Sequence, residues 1–445
     1  MAAFSVYGSS IVDDFIDKYI TQDSTILKIA TNRDNMVTEW YTLIHLESGG
    51  YGTVRINKSR EYVVKQINIA RQIEKGEMYA MNIIRNEVLI YHYISQKCKG
   101  VCSFIGCYYD KPARLLYVKS KYCGKDLHTK LFPREDPKTK IIPKPIDFNT
   151  RYAIFGKIID NLKCLHDNGV VYRDLKPENI TVSDDNTVTF IDFGLSYLCE
   201  NANVSIELKM NQNRNIIGTM LYADPMIYAD PNRPIPDDDG LKKTDTYSLG
   251  VLFMMMFSDP KYLDLLITFN FSGTSFMERV GKLDENSQKL FWIDFNEKIK
   301  LILGDGIDNT NFFGKFNNRI TSADLQFVFN QPISPEYHDA ALIYDTKINN
   351  LYKQNSKKSS NSKSAHKSTF NNNNHKSVSK SKRASNNSFN KINMQNQNLM
   401  PKKIALPIGR GIRPISFSDY VSKKGGNNKT KRHKKTKSRK TYRRK

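Results

Sequence analysis

The sequence contains no long apolar run. Its longest, Leu249–Phe257, is far shorter than the roughly 20 residues that a membrane-spanning helix needs, so it predicts a buried helix. The start of the chain, Met1–Ser5, has neither a basic segment nor an extended apolar segment after it, and no secretory signal is predicted. We therefore expect a soluble, intracellular protein, cytoplasmic or nuclear.

Cysteine is also scarce, with six residues in a chain of 445. Cys98, Cys102 and Cys107 stand close together, but their spacing matches no common zinc pattern and no histidine follows in register. A structural zinc site is therefore not expected. We expect the cysteines to be free thiols, as in proteins of a reducing compartment.

Acidic residues are almost absent from the end of the chain. Residues 354–445 hold 26 Lys and Arg and a single acid, Asp419, whereas residues 1–353 are close to neutral. Few apolar residues accompany this charge, so 354–445 is predicted to be a disordered basic tail rich in Ser, Asn and Lys.

The last 23 residues of this tail carry 13 basic side chains and no acid. Such a run binds polyanions with a strong salt dependence, and nucleic acid, a nuclear-import receptor and an acidic membrane surface are all compatible partners. Base-specific recognition is not indicated, because Tyr442 is the only aromatic residue there. The alternative is a flexible tail that only solvates the protein.

The part of the chain before the tail changes from strand to helix patterns. Residues 1–35 include Ile11, Phe15 and Ile16 at helical spacing, which indicates a short amphipathic helix. After Tyr122 the chain is predicted to be mostly helical. The predicted strands are Thr38–Leu46, Thr53–Ile56, Tyr62–Ile67, Ser103–Tyr109 and Leu115–Lys119, and the predicted helices include 78–94, 152–168 and Ala340–Tyr352.

The segment 172–194 holds the most specific pattern. An aspartate is followed by a lysine two positions later and an asparagine five positions later, and a second aspartate ends an apolar strand thirteen residues after that. The pattern runs Tyr172-Arg173-Asp174-Leu175-Lys176-Pro177-Glu178-Asn179 and then Asp192-Phe193-Gly194. It resembles the catalytic loop and metal-binding turn of the eukaryotic protein kinase family.

This resemblance implies an α+β, bilobal kinase fold with a small β-rich N-lobe and a larger α-helical C-lobe. The implied boundaries are an N-terminal extension 1–35, an N-lobe 36–121, a C-lobe 122–330, and a C-terminal helix or linker 331–353 before the tail. It also implies that Asp174 orients the acceptor hydroxyl, that Lys176 holds the transferring phosphate, and that Asn179 and Asp192 bind Mg²⁺.

The resemblance extends to the nucleotide site. A glycine-rich turn precedes the strand with Lys65, although Glu47 replaces its first glycine. The helix that follows offers Glu74, Glu77 and Glu87 as partners for Lys65, and Glu87 is favoured because an apolar packing face follows it. The residues implied to bind ATP are Ser48, Gly49, Gly50, Tyr51, Gly52, Thr53, Val54, Val63, Lys65, Glu87, Tyr122, Cys123 and Asp126. Ser120 at the rear of the pocket would leave it unusually roomy.

The acceptor side resembles the serine/threonine branch, through Lys176 in the catalytic loop and the pair Gly218-Thr219. Met226 stands where the family has a glutamate that pairs with a buried arginine, for which Arg319 is the candidate; we expect Asp224 to replace that acid. Asp245 resembles the residue that anchors the catalytic loop, and a plain helix N-cap is the other interpretation.

Residues 206–218 contain no Ser, Thr or Tyr, so activity is predicted not to need phosphorylation there. The leading interpretation is a Mg-ATP-dependent serine/threonine protein kinase. The alternatives are a pseudokinase or scaffold, supported by Glu47 and Met226, and a polyanion-binding protein whose kinase domain regulates the tail. Asn-rich tracts with a basic C-terminus also resemble proteins of large DNA viruses.

Overall fold

A computed structural model describes the chain over residues 11–21, 33–48, 52–133, 143–205, 209, 212, 218–228, 236–262, 274–333 and 335–350, all within one compact unit, 1–352. The predicted disordered tail lies outside the described residues. So do Gly49, Gly50 and Tyr51 of the glycine-rich turn.

The N-terminal region is built on a five-stranded antiparallel sheet. β-Branched and aromatic residues suit these strands, since they pack well on a pleated surface. The sheet order is β1-β2-β3-β5-β4, and the strands are β1 Ile44–Ser48, β2 Thr53–Ile56, β3 Tyr62–Asn68, β4 Phe104–Asp110 and β5 Leu115–Lys121.

The prediction of a strand over Thr38–Leu46 is wrong for the first half of that range. Residues Arg33–Thr42 form a helix, and the strand begins only at Ile44. Trp40 and Leu43 are buried with residues of the sheet, and the guanidinium of Arg55 lies 4.6 Å from the centre of the Trp40 ring. Packing of these large side chains on the sheet outweighs the strand preference of the local sequence.

The helical region between β3 and β4 is longer than the predicted helix 78–94. A short helix, Ile69–Ile73, is followed by Glu77–Ile84, a π-helical turn Arg85–Ile90 and Tyr91–Lys97. The last three segments run without a break and are called the 77–97 helix below. Glu87 lies in its π-helical turn, and such turns are frequent at functional sites.

The C-terminal region is mainly helical, as predicted. Its two 20-residue helices are capped at their N-termini by Asp147 and Asp237, whose side chains accept hydrogen bonds from backbone amides. The helices are 127–131, Phe148–Asp167, Pro225–Tyr228, Asp238–Phe257, Phe276–Gly281, Glu285–Leu303, Thr310–Phe313, Ser322–Phe329 and 337–350. In the described residues, no helix is long and apolar enough to span a membrane.

Two small antiparallel sheets connect these helices and carry the loops of interest. Their strands are short, and all but β6 are buried. One has the order β6-β8-β9 and the other pairs β7 with β10; the strands are β6 Lys125–Asp126, β7 Val170–Val171, β8 Ile180–Val182, β9 Val188–Phe190 and β10 Tyr197–Leu198.

The helix 337–350 agrees with the helix predicted over Ala340–Tyr352. Its apolar face is buried against the C-terminal region, and the hydroxyl of Tyr344 accepts a hydrogen bond from Arg151 Nη1 at 3.0 Å. Asp345 accepts one from the backbone amide of Phe148 at 2.9 Å. This helix therefore forms part of the folded unit.

The expectation that the cysteines are free thiols is wrong for four of the six. Cys98 is bonded to Cys164 and Cys102 to Cys123, with Cα–Cα distances of 5.9 Å and 6.1 Å. The partners are 66 and 21 residues apart in the sequence, so local spacing carries no information about them. Cys107 and Cys199 are buried and belong to neither disulfide bond.

We expect thiol labelling to reveal this pairing. A chain denatured without reductant should react with an alkylating reagent at Cys107 and Cys199 alone, and at all six cysteines after reduction. Peptide mapping by mass spectrometry measures which cysteines are labelled. Labelling of all six before reduction would show that the two bonds are absent from the protein as prepared.

Candidate active site

The catalytic-loop pattern lies between β7 and β8, and its backbone is held by Asp245. The carboxylate of Asp245 accepts hydrogen bonds from the amide of Tyr172 at 2.8 Å and from the amide of Arg173 at 2.7 Å. It also contacts Nε2 of His166 at 2.9 Å. Asp245 is fully buried inside the helix Asp238–Phe257, whose N-cap is Asp237, so the interpretation of Asp245 as a helix cap is wrong.

Asp174 is surrounded by hydrogen-bond donors. Its Oδ2 atom accepts from Lys176 Nζ at 2.7 Å and from Asn179 Nδ2 at 2.8 Å. Its Oδ1 atom accepts from both the amide and the hydroxyl of Thr219 at 2.9 Å, and Lys176 Nζ also donates to that hydroxyl at 2.8 Å. The carboxylate therefore has a fixed orientation, and the loop with Thr219 is attached to it.

Asn179 and Asp192 lie at the adjoining ends of β8 and β9. The amide of Ile191 donates to the carbonyl of Asn179 at 3.0 Å, which brings the two side chains to the same edge. Asp192 adopts a positive φ of 61°. The amide and carboxylate oxygens of this pair are hard ligands of the kind Mg²⁺ prefers, and Mg²⁺ usually completes its coordination with phosphate and water.

The donor set therefore fits Mg²⁺ bound together with a phosphate-bearing substrate. In the described part of the chain there is no group of three or more His, Cys, Asp or Glu that could hold a metal without such help.

Lys65 lies between two carboxylates. Its Nζ atom contacts Glu87 Oε1 and lies 3.1 Å from Asp192 Oδ1, so the structure pairs it with the glutamate that the sequence favoured over Glu74 and Glu77. Burial alone would lower the pKa of Lys65. The carboxylates of Asp192 and Glu87 outweigh burial, so the pKa of Lys65 is raised. Burial also opposes the charge of Asp192, yet Lys65 and then Lys176 hold its pKa below the usual value. Both groups are charged as phosphate binding requires.

Four aromatic rings in contact connect the N-terminal sheet to the catalytic loop. Tyr172 packs edge-on against Phe193 at a centroid distance of 5.3 Å. Phe193 stacks on Tyr91 at 5.2 Å, and Tyr91 meets Phe104 edge-on at 5.5 Å. Tyr91 lies one helical turn after Glu87, in the apolar face that favoured Glu87 as the partner of Lys65. The place of Phe104 was not predicted, because it follows from the packing of β4 against this helix.

The structure describes the glycine-rich turn only at its two ends. Ser48 ends β1, and its hydroxyl lies 3.1 Å from the hydroxyl of Thr53 in β2. Gly52 lies so close to β3 that an added Cβ would meet the carbonyl oxygen of Gln66 at 2.2 Å, which explains the glycine there. Glu47, in place of the first glycine, lies in the exposed strand β1.

The two valines predicted to contact the nucleotide lie on adjacent strands. Val54 on β2 is paired with Lys65, and Val63 on β3 is paired with Ser120 on β5. Burial raises the pKa of the nearby Tyr91, whose hydroxyl has no hydrogen-bond partner among the described residues.

Three of the residues predicted to bind ATP follow β5. The amide of Tyr122 donates to the carbonyl of Glu61 at 2.8 Å, and Cys123 is the residue bonded to Cys102. Asp126 caps the helix 127–131, with both carboxylate oxygens at 2.7 Å from Thr129. The structure brings these three residues to the connection between the two regions.

Arg173 is buried, and its guanidinium holds the segment after Gly194. It donates to the carbonyls of Leu195 at 2.8 Å and Ser196 at 3.2 Å, and it lies 5.3 Å from the centre of the Tyr197 ring. Burial lowers the pKa of Arg173 to about 10, with Asp245 opposing that effect. The guanidinium of Arg173 is thus bound by backbone carbonyls of the protein itself.

We therefore expect catalytic activity without loop phosphorylation. Protein produced in bacteria and treated with a broad-specificity phosphatase should phosphorylate a peptide as fast as untreated protein. The guanidinium of Arg173 already binds the backbone carbonyls of Leu195 and Ser196, so it needs no phosphate group as a partner. The measurement is the initial rate together with mass spectrometry of residues 195–219. A rate that falls with the removal of a phosphate from that segment would contradict this expectation.

The buried pair expected between Asp224 and Arg319 is present. Arg319 Nη1 contacts Asp224 Oδ2, and Nη2 lies 3.0 Å from Oδ1, so the contact is bidentate between two side chains that are 0–1% exposed. Asp224 precedes Pro225, two positions before Met226, where the family glutamate would stand. The aspartate thus contacts Arg319 from the position directly before the short helix Pro225–Tyr228.

Residues 42–301 match the family model described as protein kinase domain. The chain is similar to the serine/threonine-protein kinase PTK2 of Candida glabrata, 34% identical over 146 residues, which are 28% of this chain and 18% of that protein. It is similar to the cyclin-dependent kinase 4 homolog of Caenorhabditis elegans, 28% identical over 200 residues, which are 43% and 46% of the two chains. The chain thus spans less than half the length of these relatives.

Proposed function

The chain belongs to the protein kinase family, and on that premise we propose that it transfers the γ-phosphate of Mg-ATP to serine and threonine hydroxyls of proteins. The observation that carries the proposal is the cluster of Asp174, Lys176, Asn179 and Thr219. It combines an oriented carboxylate with an ammonium group 2.7 Å away. This is the arrangement that phosphoryl transfer to a hydroxyl needs.

In this proposal Asp174 accepts a hydrogen bond from the attacking hydroxyl and directs its oxygen at the γ-phosphorus. The transition state is loose, so positioning contributes more than strong deprotonation. Lys176 contacts both Asp174 and Thr219 and supplies positive charge beside the transferring group. Thr219 attaches the substrate-binding side of the site to the catalytic loop.

Lys65 binds the phosphates on the nucleotide side, and Glu87 holds its side chain in place. Asn179 and Asp192 would hold Mg²⁺, which when bound supplies charge neutralisation for the phosphate oxygens. Val54 and Val63 provide apolar contact for the adenine, and the backbone of Tyr122 and Cys123 offers it hydrogen bonds. The pseudokinase alternative is not favoured, because Lys65, Asp174, Asn179 and Asp192 are all present and assembled.

The test is phosphate transfer to peptides that differ only in the acceptor. Matched peptide libraries with a central Ser, Thr or Tyr are incubated with the full chain and labelled ATP, with Mg²⁺ or with excess chelator. The proposal requires labelling of Ser and Thr peptides that depends on Mg²⁺. Labelling of the Tyr library alone, or equal labelling in chelator, would overturn it.

We also propose that the basic tail binds polyanions, nucleic acid first among them. Thirteen Lys and Arg with no acid in residues 423–445 support this, because each contacted phosphate releases condensed counterions. One aromatic residue in that segment favours contact with phosphates over recognition of bases.

We expect the full chain to bind a random-sequence duplex DNA with affinity that falls by about 10³-fold or more between 50 and 200 mM salt, as for six to ten phosphate contacts. Fluorescence anisotropy of a labelled duplex measures it. The matched control replaces the Lys and Arg residues of 423–445 with Gln and should lose the salt-dependent binding. Equal binding by both chains would show that residues 423–445 do not bind the duplex.

A further inference from the structure

The segment Ile11–Thr21 precedes the matched kinase domain, and it packs on the 77–97 helix. Val12, Ile16 and Ile20 are fully buried and recur every four residues, so they form one apolar face. They belong to the same buried cluster as Ala80, Ile84 and Val88 of the 77–97 helix. The segment is therefore part of the folded core.

A buried aspartate attaches this segment to the sheet as well. Asp13 is 4% exposed, accepts a hydrogen bond from the hydroxyl of Tyr109 on β4, and lies 3.2 Å from Arg114 Nη2 before β5. Asp17 forms a second, exposed ion pair with Lys111 at 2.6 Å. Because a buried charge is stable only when it is paired, Asp13 fixes where the segment lies.

The segment also covers a buried cation next to Glu87. Arg85 is 3% exposed, its Nη1 atom donates to Asn82 Oδ1 at 3.0 Å, and its guanidinium lies 5.5 Å from the centre of the Phe15 ring. Burial lowers the pKa of Arg85, which is the electrostatic cost of keeping it under this cover. A change in the position of Phe15 would expose a charge two residues from Glu87.

The other side of the same helix holds the active site. Glu87 contacts Lys65, and Asn86 Nδ2 donates to the carbonyls of Gly194 at 2.9 Å and Ser196 at 2.8 Å. Tyr91 stacks on Phe193. Any shift of the helix therefore moves groups on both the phosphate side and the metal side of the site.

We infer that the segment 11–21 is an intramolecular positioning element for phosphate transfer, with Asp13 and Ile16 as its anchoring residues. It holds the 77–97 helix against the sheet in the position where Glu87 contacts Lys65. This inference rests on the proposed kinase function for its effect on rate, whereas its effect on the helix is independent of that function.

The test compares two substitutions of the same kind in the same segment of the full chain. Ile16→Asp places a charge on the buried face, and Ile11→Asp changes a side chain that is already 55% exposed. We expect Ile16→Asp to speed amide hydrogen exchange in 77–97 and to lower kcat by about 10²-fold, the order of effect of a misplaced catalytic group. Ile11→Asp should change neither. Equal exchange in the two variants would overturn the inference.

If Ile16→Asp does not fold, a second set of variants, which exchanges the charges of Asp13 and Arg114, tests the same inference. Asp13→Arg should speed exchange in 77–97 and lower kcat, and the double variant Asp13→Arg/Arg114→Asp should restore both. An Asp13→Arg chain with the exchange of the parent would overturn the inference. If the parent itself transfers no phosphate, the proposed function fails, and the exchange comparison still decides whether the segment positions the helix.

Discussion

Asp174→Asn is expected to lower kcat by about 10²- to 10⁴-fold, the range typical for loss of a positioned acid–base group. The amide keeps the size of the carboxylate but loses its charge. One of its two ends must then present N–H groups to donors such as Lys176, Asn179 or Thr219, where the carboxylate accepts from all of them. Both the orientation of the loop and the hydrogen-bond acceptor for the substrate hydroxyl are lost.

Steady-state kinetics on a serine peptide measure this effect. The KM for ATP should change little, because Lys65, Glu87 and Asp192 are untouched. Asp184→Asn is the matched control, since that side chain is fully exposed on the β8–β9 hairpin and should leave kcat unchanged. An Asp174→Asn enzyme with the kcat of the parent would exclude Asp174 from the role proposed for it.

Asp224→Ala is expected to reduce the free energy of unfolding by about 3–5 kcal/mol, because it leaves Arg319 buried with its bidentate partner removed. The loss is large because the side chain of Arg319 is 1% exposed and cannot reach water unless the surrounding packing unfolds. Equilibrium denaturation in urea measures this free energy, and thermal melting provides a second estimate.

Two further variants make the experiment specific. Asp224→Ala/Met226→Glu returns the acid to the position that the family uses and should recover part of the lost stability. Asp239→Ala removes an exposed aspartate whose ion pair with Lys242 is 3.4 Å long, and it should change stability little. Equal stability of the Asp224→Ala chain and the parent would mean that Arg319 does not depend on this contact.

Local patterns were sufficient for most of the site. Asp174, Lys176 and Asn179 are close in the sequence, so their spacing already predicts a common loop, and the structure joins them through hydrogen bonds. The pairing of Lys65 with Glu87 spans 22 residues, but the apolar face after Glu87 distinguished it from the other glutamates. The substitution of Asp224 for the family glutamate was also visible, because few acids lie near Met226.

Other features depend on tertiary packing, so local sequence patterns could not predict them. The Cys98–Cys164 bond connects two helices that meet only in the folded chain. Residues Thr38–Thr42 belong to the helix Arg33–Thr42, in which Trp40 packs on the sheet, although the composition of Thr38–Leu46 favours a strand. The contacts of Asp13 with Tyr109 and Arg114 join residues about a hundred positions apart.

The most direct test of catalytic competence is the transfer of labelled γ-phosphate from Mg-ATP to a serine/threonine peptide library by the full chain and by Asp192→Ala. ATP-dependent thermal stabilisation is measured on the same samples. We expect transfer by the full chain and none by Asp192→Ala, since that variant lacks a carboxylate proposed to bind Mg²⁺. A full chain that ATP stabilises but that transfers no phosphate would contradict this expectation and would favour a pseudokinase.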